Sequence, residues 1–315
     1  MKKTLIALSV LVAAGAANAS INIYTADGVT VDMKGDMEVV YKKNDAKDAS
    51  PKQEIQDADL GFDVRYAINE DISGGAYWEF QGDSKNSDGV NTSDSSTVSM
   101  GDVYFALYSK SMGTLKVGDT CTLGDDLGIG ADYQFGLNKV FDSSAAFCAD
   151  EVIKYTLDKG AYYGGIAYRD NQHGSGAEMT DMRVGVRFAD IDALVYYGDV
   201  ARTDDDILAF EVIYSGVDAL TLEAGYYDAN GKLATDGGKT WALGAEYAIN
   251  SKVSVAAGYS DTDPANSATK DVTKYFVNVD YKLAPGTKLY AEIGEEDDGA
   301  ADVELGYAAG VKVEF

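Results

Sequence analysis

"ADVELGYAAGVKVEF", residues 301–315, changes character at every step. Val303, Leu305, Tyr307, Ala309, Val311, Val313 and Phe315 share one side, and Asp302, Glu304, Gly306, Ala308, Gly310, Lys312 and Glu314 share the other. A period of two belongs to an extended strand whose faces meet different surroundings. The same alternation recurs outward along the chain. Trp241, Leu243, Ala245, Tyr247 and Ile249 oppose Ala242, Gly244, Glu246 and Ala248. Leu60, Phe62, Val64, Tyr66 and Ile68 oppose Gly61, Asp63, Arg65 and Ala67, while Met182, Val184, Val186 and Phe188 oppose Arg183, Gly185 and Arg187.

Runs and turn residues together predict sixteen strands, at 29–42, 55–68, 72–82, 97–109, 114–121, 151–158, 161–170, 181–189, 192–200, 206–215, 219–229, 239–249, 252–262, 273–283, 287–296 and 301–315. Tight connections such as "NED", "DKG", "SGVD" and "APG" alternate with long polar ones at 43–54, 83–96, 122–150, 171–180, 230–238 and 263–272. Only "ARTDDD" is short where a long connection is due. A soluble β-sandwich alternates too. An outer-membrane barrel, however, needs an even strand number, short turns at one end and longer loops at the other. Closure also removes the exposed edges that so many long strands would otherwise carry. Tyr41, Tyr66, Trp78, Phe80, Phe188, Tyr247, Tyr281 and Phe315 stand where interfacial aromatic girdles would lie. The expected fold is all-β, a transmembrane antiparallel 16-stranded β-barrel.

The opening "MKKTLIALSVLVAAGAANAS" joins two lysines, a short apolar run and Ala17-x-Ala19, the pattern of a cleavable secretory signal over residues 1–19. Residues 20–315 then form a single barrel domain. Removing the signal leaves 315 − 19 = 296 residues and a formal charge of 24 − 52 = −28. Such acidity disfavours nucleic acid and attracts cations into any cleft. Tyrosine (22) and glycine (34) are abundant and proline (3) is rare, which suits long strands and glycine turns.

Three stretches carry a family likeness. "IYTADGVTVDMKG" resembles the "IYNKDGxxxDLYG" opening of general bacterial porins, "LGFDVRYAINEDISGGAYWEF" resembles their "LGFKGxxxINxDLxGxxxWEx" hairpin, and the terminal Phe315 resembles their barrel-assembly signal. The resemblance covers the mature chain. It implies a sixteen-stranded homotrimeric channel in the cell outer membrane, with an inward-folded third long loop. Its partners would be outer-membrane lipid and lipopolysaccharide, the barrel-assembly machinery, and small hydrophilic solutes and cations.

Segment 122–150 then occupies the position of the inward-folded loop. The two cysteines of the chain, Cys121 and Cys148, stand at its ends. In an oxidising compartment they can pair, and closing that loop is worth about 3–4 kcal/mol before strain. The alternative is two unrelated small side chains.

A wide barrel has a polar, water-filled interior, so function rests on inward side chains. Strand parity places Lys34, Asp36, Glu38, Asp59, Asp63, Arg65, Glu79, Asp102, Lys116, Lys154, Arg183, Arg187, Glu211, Glu246 and Glu292 on the lumen side. The loop adds Asp125, Asp126, Asp132 and Asp142. The family sets loop carboxylates against a ladder of strand arginines. Here Asp59, Asp102 and Cys148 stand where that ladder has arginines, leaving Lys34, Arg65, Lys116, Lys154, Arg183 and Arg187 as the basic wall. A carboxylate-lined passage admits cations and opposes anions. The expected activity is therefore passive diffusion of small hydrophilic solutes with cation preference.

Two other readings stay open: a sugar-specific channel using inward Tyr77, Tyr104, Tyr196 and Tyr227, and an adhesion or receptor barrel whose conduction is incidental. Catalysis is not expected, because the one histidine, His173, has no base and orienting group spaced around it. Neither a metal site nor a cofactor is expected, since neither the cysteine and histidine count nor the acidic runs match a ligand pattern.

Overall fold

The computed structural model describes residues 20–82, 98–138, 147–170, 178–201, 205–230, 238–265, 270–299 and 302–315. Alternation is realised as strands β1 (Ile21–Ala26), β2 (Val29–Lys43), β3 (Lys52–Ala67), β4 (Ile72–Gly82), β5 (Val98–Ser109), β6 (Gly113–Cys121), β7 (Cys148–Asp158) and β8 (Tyr162–Arg169). There follow β9 (Met179–Phe188), β10 (Ile191–Val200), β11 (Asp205–Val217), β12 (Leu220–Asn230), β13 (Gly238–Ala248), β14 (Val253–Pro264), β15 (Val272–Ala284), β16 (Thr287–Asp297) and β17 (Gly306–Glu314).

Each of β2 to β17 pairs antiparallel with its sequence neighbour, and β17 returns to β2 over Tyr307↔Lys43 to Glu314↔Asp36. The ring is a closed sixteen-stranded barrel. β1 is an additional strand outside that count. It turns back at Asp27-Gly28, where both φ angles are positive (53° and 78°), and pairs with β2 from Ile21↔Met33 to Ala26↔Val29. A two-residue hairpin with two left-handed residues matches the twist of paired strands, and Asp-Gly adopts it readily. β1 and β17 thus share one edge of β2, end to end. Between them, Gly35 and Phe315 exchange both backbone hydrogen bonds (2.7 and 2.9 Å).

The final strand starts later than the alternation predicts. Residues 302–305 leave the β16 ladder and lean on the 44–46 connection, through an Ala46↔Val303 bridge and a Glu304 N–H to Asp45 carbonyl bond of 2.7 Å. Side-chain period survives there, but the pairing partner is different.

The outer face carries the large apolar side chains. Phe105, Val117, Ile153, Val184, Phe188, Phe210, Leu243 and Tyr247 are all exposed, as are seven of the eight expected girdle aromatics, Phe315 being half-buried. Buried apolar residues lie instead on the inner face and in segment 122–138. The barrel is therefore inside-out relative to a soluble protein, as a lipid-facing wall requires.

Candidate functional site

Segment 122–138 has no regular structure, so its backbone N–H groups need acceptors elsewhere. Inward carboxylates supply them. Gly124 N–H donates to Asp181 on β9 (3.0 Å), Gly128 N–H to Glu211 on β11 (2.5 Å) and Gly130 N–H to Glu223 on β12 (2.6 Å). Tyr133, Gln134 and Phe135 N–H all donate to Glu292 on β16, each at 2.7 Å. The Gln134 amide donates to Glu38 on β2 (2.6 Å), Asn138 N–H donates to Ser260 on β14 (2.9 Å), and Asn278 on β15 donates to the Ala131 carbonyl (2.7 Å). Bonds to ionised acceptors are about twice as strong as neutral ones. The segment is thus tied to the inner faces of strands around more than half of the barrel.

Apolar contacts reinforce these ties. Leu123, Leu127, Ile129, Phe135 and Leu137 are buried against Tyr196, Tyr227, Ile207, Phe276 and Tyr290. Phe135 packs over Gly294 and Gly306, register partners on β16 and β17, where any Cβ would collide with its ring or stem. Tyr133 stacks on Tyr290 with centroids 4.1 Å apart, and burial raises its phenol pKa. Tyr196 and Tyr227, expected in the lumen, are fully buried here and donate to Asp181 (3.0 Å) and Glu211 (2.9 Å). Glu38, Glu211 and Glu292 do lie on the inner face, but they are buried as acceptors for the segment rather than spread along open water.

Cys121 and Cys148 are register partners at the end of β6 and the start of β7, and they form the disulfide that closes this connection. Asp125 lies beside Cys148, and Asp126 pairs with Arg183 on β9 at 3.0 Å. Asp132 stays within the segment, its carboxylate next to Gly136. Asp142 and His173 lie outside the described residues.

The wall from β2 to β7 carries the other expected residues. Asp63 binds Lys34 (3.3 Å) and Arg65 (2.7 Å), and the Arg65 guanidinium lies 4.0 Å from the Tyr108 ring centre. Lys116 and Lys154 are direct register partners, with Lys116 over the Tyr104 ring at 4.2 Å. Tyr104 in turn neighbours Tyr77, at 5.3 Å between centroids. Asp102 accepts from Thr120 (2.9 Å), and Asp59 accepts from Gly82 N–H (3.3 Å) within a cluster that includes Asp36 and Asp57. Arg187 stands apart. It is held at the short-turn end by Asp158 and Asp192, both at 2.9 Å, and by the Gly160 carbonyl. Sequence reasoning missed Asp181, Glu223 and Asn278 as anchors. Inward parity was their only signal, and it cannot tell an anchored side chain from one in water.

An antiparallel sixteen-stranded ring, lipid-facing outside and with residues 122–138 hydrogen-bonded to inward side chains, invites comparison with known barrels. A family model described as Gram-negative porin matches residues 5–301. The chain belongs to the Gram-negative porin family. This porin is 32% identical over 343 residues to Porin-like protein H of Photobacterium profundum, with all of both chains covered. Its fold is similar to that of OmpT from Vibrio cholerae with loop L8 deleted, at a TM-score of 0.77 and 19% identity, covering 92% of this chain and 100% of that one. OmpT of the same organism in its trimer form gives a TM-score of 0.73 with the same identity and coverage. Membership places the porin in the cell outer membrane as a passive channel.

Proposed function

We propose that this porin conducts small hydrophilic solutes and ions with a preference for cations, through a passage narrowed by segment 122–138. The observation that carries the reading is the row of backbone bonds tying 122–138 to Asp181, Glu211, Glu223 and Glu292. A segment fixed inside the ring leaves the passage beside the β2–β7 wall, with Asp125, Asp126, Asp59 and Asp102 along it. Asp63 and Arg65 neutralise one another, as do Asp126 and Arg183, and the inward cluster of Asp36, Asp57 and Asp59 favours cations.

Residues 1–19 would direct export, and the assembled form would be a homotrimer, in keeping with the trimer form of OmpT. Phe315 would serve the barrel-assembly machinery, and outer-loop acids would meet lipopolysaccharide. The reading assigns no catalysis, cofactor or metal. A sugar track is disfavoured, because two of its four tyrosines, Tyr196 and Tyr227, are buried.

The zero-current potential of the purified porin in a planar bilayer under a salt gradient tests the proposal. Cation selectivity that weakens in Asp125→Asn/Asp126→Asn would support it. An anion-selective pore would reject the charge assignment, and absence of conductance from folded protein would reject the channel.

A further inference from the structure

Charge on the β2–β9 wall is sorted along the barrel axis. β3 descends from a long connection to a short turn, and Asp57 and Asp59 precede Arg65 on it. β2 runs the other way, and Lys34 precedes Asp36. On β9 the order is Asp181, then Arg183 and Arg187. Within each of these sets the carboxylate lies nearer the loops and the cation nearer the turns. β4 and β5 continue the acidic level with Glu79 and Asp102, while β6 and β7 continue the basic level with Lys116 and Lys154.

Register fixes the offset between levels. Lys34 pairs with Gly61, so Asp59 is two residues, or about 7 Å of strand, toward the loops. Lys116 pairs with Ala106, so Asp102 is four residues, or about 13 Å, toward the loops. Charges of the opposite order are held by partners: Asp63 by Lys34 and Arg65, Asp32 by the Asn22 amide, Asp158 by Arg187, loop-side Lys42 by the Gln134 carbonyl, and Arg169 is buried on the inner face beside the Asp181 strand.

Both levels keep like charges together. Asp36, Asp57 and Asp59 bring carboxylate oxygens within 4.8 Å of one another. Lys116 and Lys154 stand directly opposite across a strand pair, and neither has an ion pair among the described residues. Like charges opposite one another destabilise a sheet. Barrel stability alone therefore gives no reason for either cluster.

We propose that this porin is a rectifying channel, its loop-side acidic level and turn-side dilysine level forming an axial bipolar junction. The proposal rests on the channel reading above. The acidic level holds excess cations and the dilysine level excess anions. With the loop side positive, both ions are driven toward the junction and conductance rises. With the opposite sign both are drawn out and it falls.

Single-channel currents in symmetric 0.1 M KCl, at equal voltages of both signs, test this. The expected ratio is about twofold, shrinking at 1 M, where the Debye length falls from ~10 to ~3 Å. Lys116→Gln/Lys154→Gln and Asp59→Asn/Asp102→Asn should each bring the ratio toward one. On selectivity they should act oppositely, the first pair strengthening cation preference and the second weakening it. Heat-dependent gel migration checks that each variant is folded. A conducting wild-type pore with symmetric currents overturns rectification and leaves the channel reading standing. A ratio unmoved by the lysine changes also overturns it, and absence of conductance overturns both.

Discussion

Glu292 shows what a single side chain does here. It accepts three consecutive backbone N–H groups and the Asn278 amide (3.0 Å) while fully buried. In Glu292→Ala those donors lose their acceptor, each at roughly 1–3 kcal/mol when left buried. We expect the segment to detach locally. Limited proteolysis within 122–138 should accelerate and single-channel noise should rise, while Glu292→Gln, which keeps one carbonyl acceptor, should lie between. The Arg183–Asp126 pair is different. Its aspartate is 53% exposed, so Asp126→Asn should cost less than about 1 kcal/mol of stability in urea unfolding while still changing ion selectivity.

At the scale of elements, turns and clips decide how firmly strands are joined. Ala189 and Ala219 sit in tight turns with φ of 52° and 63°, a left-handed region that disfavours a Cβ. Ala189→Gly and Ala219→Gly should each raise stability by about 0.5–1 kcal/mol, seen as a higher denaturant midpoint. The turn before β4 has a pH-sensitive clip. The Asp71 carboxylate accepts from Ser109 (2.7 Å) and from the Ser111 hydroxyl (2.8 Å) and N–H (2.9 Å), and these bonds hold its pKa below the usual aspartate value. Because the folded pKa is the lower one, its contribution is complete above the unfolded value and is lost as pH falls through the folded one. The protection factor of the Ser111 amide, its exchange rate relative to the unstructured rate at the same pH, should therefore fall on acidification in the wild type, and Asp71→Asn should flatten that dependence. The disulfide acts on a different element. Cys121→Ser/Cys148→Ser should lower unfolding stability by up to about 3–4 kcal/mol with little change in conductance, because the carboxylate anchors hold 122–138 independently.

The whole molecule depends on closure of β17 onto β2, a ladder that ends at the Gly35–Phe315 pair. Gly35 and Phe315 extend the ladder that joins the two ends of the ring, and a Cβ at Gly35 would stand 3.0 Å from the Phe315 ring and against the Asp59 carbonyl. Gly35→Val should sharply reduce the fraction that reaches the folded, heat-modifiable form in detergent, whereas Gly74→Ala, with neighbours no closer than 3.5 Å, should fold normally. The fold itself was open to sequence reading wherever one side of a strand faced lipid. Leu243, Val184 and Phe105 announce their orientation by hydropathy, and the alternation from 301 to 315 needed no partner to be seen. That pattern determined strand count, connection lengths and membrane placement, since period two follows from backbone geometry alone. β1 escaped because its edge position depends on where β17 stops. The candidate site was legible only as parity, so inward residues could be named but not sorted. Glu292 buried beneath the third long connection, Arg187 at the turn end and Lys116 opposite Lys154 were decided by register and by the path of 122–138. Tertiary structure alone settles these, because contacts between residues distant in sequence depend on closure of the ring, which no local stretch encodes.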